Sequence, residues 1–172
     1  MKHAARQMDV FLQPGEYFVG DAGCRIRTLL GSCVSITLWH PQRHIGAMSH
    51  FLLANRGSRR AGEFDGRYGD EALHLLLRDL QHAGVDPRQC QAKVFGGGNM
   101  FPAISKASAA RVGKMNGEAA HQLLDAHGIP VVSQCLYGVG HRQVIFDVAT
   151  GHVWSRQLRP MAAGNADLGQ AA

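Results

Sequence analysis

The chain has 172 residues, 45% of them apolar and 18% charged, which fits a folded domain and excludes wholesale disorder. At roughly 150 residues per domain this length predicts one domain, and a domain of that size buries roughly 70% of its unfolded surface. Eighteen Lys and Arg against 13 Asp and Glu leave a net charge of +5 and a pI near 9.3, a balance that invites nucleic acid or an acidic partner but also serves solubility alone.

Residues 1–13 contain no apolar run long enough for a signal peptide. No stretch approaches the roughly 20 apolar residues of a membrane helix, so no membrane insertion is expected. Cys24, Cys33, Cys90 and Cys135 form no CxxC pair, which excludes zinc-ribbon and thioredoxin-type spacing. Four cysteines are too few for a disulfide scaffold, and the expected setting is a reducing cytoplasm with free thiols.

Residues 1–13 read as a polar lead-in that Pro14-Gly15 terminates, and residues 16–19 as a first strand. Strands follow at 25–30 and 34–39, flanking Gly31-Ser32-Cys33. In the second, Val34, Ile36 and Leu38 alternate with Ser35, Thr37 and Trp39, a period of two that predicts a half-buried strand. Pro41 blocks the ladder, so residues 40–43 form a turn and 45–53 return as the partner of a hairpin. The Arg- and Gly-rich run 55–69 has no periodicity and reads as a surface loop. Asp70 is placed to cap a helix that runs to Ala83, with Leu73, Leu76, Leu77 and Leu80 on one face and Gly84 at its end. A strand at 91–95 runs into Gly96-Gly97-Gly98-Asn99. Asn116 is placed to cap a second helix that ends before Gly128, with Ala119, Ala120, Leu123 and Leu124 on its apolar side. Residues 129–136 form a strand, and 143–148 with 152–158 a hairpin around Thr150-Gly151. Residues 159–172 read as a disordered tail.

Many strands with two helices inserted far apart predict an α+β fold: a single-domain layered sandwich of mainly antiparallel sheet with two main helices packed outside.

One constellation could carry chemistry. Reflecting the hairpin about a centre near residue 42 pairs Cys33 with His50 across the strands. An imidazole beside a thiol can generate a thiolate, and a thiolate attacks a carbonyl carbon. Gly31 and Ser32 are small residues that let a substrate approach the backbone, whose N–H groups could hold an oxyanion. The plainer reading is a packed strand cysteine, since free cysteine is among the most buried residue types. Cys24, Cys90 and Cys135 have no such partner and read as packing.

The Gly96–Asn99 run lacks the phosphate-loop pattern and reads as a tight turn against the site, with Asn99 either a structural hydrogen-bonder or a substrate contact. His121 and His127 lack the i, i+4 spacing of a helical metal pair, while His40 and His44 sit at a turn and should be solvated. No metal or organic cofactor is expected. Arg56, Arg59, Arg60 and Arg67 are a solvated loop or a docking patch for acidic helices. No nucleic-acid motif accompanies them, so nucleic acid is not expected as a partner.

The run Thr28-Leu29-Leu30-Gly31-Ser32-Cys33-Val34 resembles the LGSCV signature of the CheD family of chemoreceptor glutamine deamidases. Gly46-Ala47-Met48-Ser49-His50 is similar to that family's GAM-x-H segment, and Arg67-Tyr68-Gly69-Asp70 to its RYxDxA element. Lys93-Val94-Phe95-Gly96-Gly97-Gly98-Asn99-Met100-Phe101 resembles its KxFGGANMF run, and Gly113 with Asn116 its IGxxN element. Arg142, Phe146-Asp147 and Thr150-Gly151 are similar to its closing hairpin, so the resemblance covers about residues 13 to 158. It implies a deamidase domain over 14–158 that converts glutamines of methyl-accepting chemoreceptors to glutamate and releases ammonia. It implies Cys33 as nucleophile, His50 as base and Thr28 as the third catalytic residue, at membrane-bound receptor arrays. Family members also bind a CheC-type phosphatase, a further candidate partner. Tyr137-Gly138-Val139-Gly140-His141-Arg142 departs from the family's GGxxGR pattern. The rival readings are a non-catalytic chemotaxis adaptor and a thiol hydrolase of small amides or esters.

Overall fold

The computed structural model describes residues 6–58, 62–102 and 107–159. Among these residues the strands are β1 Met8–Leu12, β2 Tyr17–Gly20, β3 Cys24–Leu30, β4 Val34–His40, β5 Ile45–Ser49, β6 Gln91–Gly96, β7 Val131–Leu136, β8 Arg142–Asp147 and β9 Val153–Gln157. The helices are α1 Gly69–His82 and α2 Ala107–Ala126, with a short 3-10 turn at Pro87–Gln89. One sheet has the order β1-β3-β8-β9 and the other β2-β5-β4-β6-β7. Pairing is antiparallel except between β1 and β3 and between β6 and β7.

Two cores separate three layers. Leu73, Leu76 and Leu80 of α1 and Ala120 and Leu124 of α2 pack on Val34, Ile36 and Leu38 of the five-stranded sheet. The other face of that sheet, with Met48 and Phe95, meets Ile26, Leu30, Val144 and Phe146 of the four-stranded sheet. Each of these large side chains, fully buried, stabilises the fold by roughly 1.5–3 kcal/mol. The layered α+β sandwich expected from the sequence is the fold observed.

Five local expectations are corrected. The lead-in contains β1, which pairs in parallel with β3 from Met8↔Cys24 to Leu12↔Thr28. Strand β4 is not half-buried but buried on both faces, because Ser35 and Thr37 are small enough to lie under the second sheet. Asp70 does not cap α1: Tyr68 is the N-cap and makes no side-chain cap bond. Instead, the Gly69 and Asp70 N–H groups donate to the Leu53 and Ala54 carbonyls, at 2.8 and 3.2 Å. The chain crossing above the helix start thus replaces a capping side chain. Asn116 caps nothing either, since α2 begins nine residues earlier and buries it mid-helix. His40 is not solvated: its ring is buried between Gln89, 3.1 Å from Nε2, and the Arg43 N–H, 3.1 Å from Nδ1. Gly84, by contrast, ends α1 at φ 79° as the sequence predicts. Arg59, Arg60 and the tail from residue 160 lie outside the described residues.

Candidate active site

The β4–β5 hairpin forms as predicted, but two residues out of the expected register. His40 faces Ile45, Thr37 faces Met48, and an isolated bridge joins Val34 to Phe51. Cys33 and His50 are therefore diagonal neighbours rather than a directly opposed pair. Diagonal side chains on one face stand roughly 7–8 Å apart at the backbone, within reach of one another. Val34 and Phe51 face the helices, so Cys33 and His50 share the opposite, inter-sheet face, where Cys33 packs on the second core.

His50 is held from three sides. Its backbone carbonyl accepts from the Gly15 N–H at 2.8 Å, and its own N–H donates to the Glu16 carbonyl at 3.1 Å. Its ring meets Thr28 of β3, whose Oγ1 lies 2.7 Å from Nδ1. The same hydroxyl donates to the Leu12 carbonyl at 2.8 Å. A hydroxyl has one hydrogen, and Leu12 takes it, so Nδ1 must carry the ring proton and donate to Thr28. Nε2 then holds the lone pair, and it is buried with no hydrogen-bond partner. Burial pulls the His50 pKa down to about 4, against smaller opposing contributions from the Leu12 backbone and the Glu16 charge. The imidazole is thus a neutral base at physiological pH.

Cys33 is free and partly exposed. Burial pushes its thiol up from the ordinary value, while its own backbone N–H works the other way. Both groups are therefore neutral at rest, a thiol and an imidazole, with no standing thiolate. The turn before the thiol is anchored at each residue. The Gly31, Ser32 and Cys33 carbonyls accept from the Gly98 N–H at 2.9 Å, Asn116 Nδ2 at 3.1 Å and the Gly97 N–H at 2.9 Å. Gly96 sits at φ 109°, and a Cβ there would overlap the Cys33 carbonyl oxygen. The glycine run is thus a tight turn against Cys33, as the sequence suggested.

The remaining candidates are dispersed. Asn99 Oδ1 accepts from the Phe101 N–H at 3.2 Å, and its backbone bonds to Gly138 and Gly140, so its observed contacts are structural. Arg56 makes a two-pronged pair with buried Glu71, at 2.7 and 2.8 Å, and Arg67 pairs with Asp65 at 2.7 Å. Both guanidinium groups lie over the Tyr68 ring. Cys24 and Cys90 are buried, and burial pushes the Cys90 thiol up to about 11. Cys135 accepts from Arg142 Nη1 at 2.8 Å. Two contributors escaped the sequence reading: Leu12 and, in its actual role, Asn116. The alternation of Met8, Val10 and Leu12 with Asp9, Phe11 and Gln13 was a usable strand signal for the first.

Fold and site together describe an α+β domain with a free thiol and a buried, hydroxyl-anchored histidine on one sheet face. A model of the family described as CheD chemotactic sensory transduction matches residues 52–157. A protein of Albidiferax ferrireducens named probable chemoreceptor glutamine deamidase CheD 2 is 57% identical over 170 residues, 98% of both chains. Relatives named as probable chemoreceptor glutamine deamidases are 45% identical in Chromobacterium violaceum (86% of this chain, 77% of that one) and 36% identical in Caulobacter vibrioides (88% and 79%). The chain belongs to the CheD family. Among the described residues no helix is long and apolar enough to cross a membrane.

Proposed function

We propose that this chain is a chemoreceptor glutamine deamidase in which Cys33 is the nucleophile, His50 the base and Thr28 the residue that orients the imidazole. The observation that carries the reading is the hydrogen-bonded line from Leu12 O through Thr28 Oγ1 to His50 Nδ1, which leaves Nε2 as the acceptor for the thiol proton. Nε2 takes the Cys33 proton as the sulfur bonds to the carboxamide carbon of a receptor glutamine. The carbonyl π pair moves to oxygen, where the Ser32 and Cys33 N–H groups at the Gly31 turn are the nearest candidate donors. The imidazolium returns its proton to nitrogen, the C–N bond breaks and ammonia leaves. Water, deprotonated by the same Nε2, adds to the thioester; its collapse frees glutamate and restores the thiol. The residues need no metal or organic cofactor for any of these transfers. On this reading the enzyme works in the cytoplasm, at membrane-bound receptor arrays.

The test is incubation with a receptor cytoplasmic fragment, followed by mass spectrometry for a gain of about 1 Da at glutamine and by an ammonia assay. Cys33→Ala and His50→Ala should each abolish both signals while the domain stays folded. Full activity in Cys33→Ala would falsify the mechanism.

A further inference from the structure

The Gly31–Cys33 turn shows which groups face the reacting oxygen. A trans peptide is planar, so its carbonyl and its N–H point in opposite directions. The Gly31 carbonyl shares a peptide with the Ser32 N–H, and the Ser32 carbonyl shares one with the Cys33 N–H. Both carbonyls are held inward, by the Gly98 N–H at 2.9 Å and by Asn116 Nδ2 at 3.1 Å. Both N–H groups are thereby turned outward, and neither donates to a backbone carbonyl in the turn.

Gly98 is a backbone anchor fixed by the course of the chain. Asn116 is a side chain, and its location is unusual. It is 1% exposed in the middle of α2, where asparagine is a poor helix former and packing alone asks for an apolar residue. Its amide also donates to the Leu52 carbonyl at 2.7 Å, two residues beyond His50. One side chain therefore ties the nucleophile turn to the segment after β5 that carries the base.

We infer that Asn116 is a positioning residue for oxyanion stabilisation: by fixing the Ser32 carbonyl it aims the Cys33 N–H at the oxygen that becomes anionic during attack. Asn116 neither gives nor takes a proton. The inference rests on the reading of Cys33 as nucleophile.

Two rates separate this role from a general one. Deamidation of a receptor fragment passes through an oxyanion; alkylation of Cys33 by iodoacetamide displaces iodide at a saturated carbon and forms none. In Asn116→Ala, kcat should fall on the order of 10²-fold, the scale of one lost oxyanion donor, with KM within about threefold of the parent. Cys33 alkylation should stay within about threefold of the parent from pH 6 to 9. Asn116→Asp keeps the shape but loses the donors, and should behave alike. Glu118→Gln, on the exposed side of the same helix, is the control and should match the parent. An unchanged kcat in both Asn116 variants overturns the inference. So does a parallel collapse of deamidation and alkylation, or failure of both variants to fold by circular dichroism, since either assigns Asn116 to the scaffold at large. An inactive parent chain refutes the deamidase reading instead, and an active parent with an active Asn116→Ala refutes only the role of Asn116.

Discussion

Buried neutral His50 makes the stability of this protein depend on pH in a way one substitution should erase. Its pKa is about 4 in the fold against 6.5 in an unfolded chain. Between those values the unfolded chain takes up a proton that the folded one refuses. Stability from this group is therefore complete above about pH 6.5 and is lost as pH falls toward 4. Each pH unit inside the window is worth about 1.4 kcal/mol, so the loss reaches about 2 kcal/mol at pH 5 and about 3 kcal/mol at pH 4. With a urea slope of about 2 kcal/mol/M, the midpoint moves down by about 1 M between pH 7 and pH 5. The assay is urea unfolding of the parent and of His50→Gln at pH 7, 6 and 5. The two proteins share every other residue, so the difference between the two isolates His50. That difference should shrink by about 2 kcal/mol from pH 7 to pH 5. A difference constant across that range would refute the claim that the ring is held neutral by burial.

Turnover should keep its base well below the usual histidine range, with the acid limb of kcat/KM near pH 4 rather than 6.5 for as long as the fold survives. Thr28→Val removes the hydroxyl between Leu12 and His50; deamidation should drop on the order of 10-fold or more, and about 1–3 kcal/mol of stability should go with the stranded Leu12 carbonyl, read by urea titration. Gly96→Ala forces a Cβ onto the Cys33 carbonyl oxygen at positive φ, so it should cost about 1–3 kcal/mol and most of the activity. Deleting residues 1–12 removes β1 and should lower kcat as far as Thr28→Val does, a result that an ordinary lead-in would not give.

The layered fold and the hairpin were legible because Val34, Ile36 and Leu38 and the leucines of α1 follow the periods of strand and helix. Cys33 and His50 were legible as a pair, although the register was not. A four-residue turn offers several closures, and only tertiary packing of Val34 against Phe51 selects one. Asn116 was misread for a different reason. Asparagine favours helix starts, and nothing local reveals two distant carbonyls that need its amide mid-helix. Tyr68 as the start of α1 was hidden likewise, since Leu53 and Ala54 supply the cap from outside the helix.

Strand β3, which bears Thr28, is flanked by β1 from the beginning of the chain and by β8 from near its end. The two pairings close loops of very different length, and the longer must wait for residues 142–147. A polypeptide emerging from the ribosome would carry the cysteine and the histidine long before their setting exists. The chemistry proposed for them therefore has to await the β8–β9 hairpin, because β8 completes the sheet on which β1 and Thr28 lie.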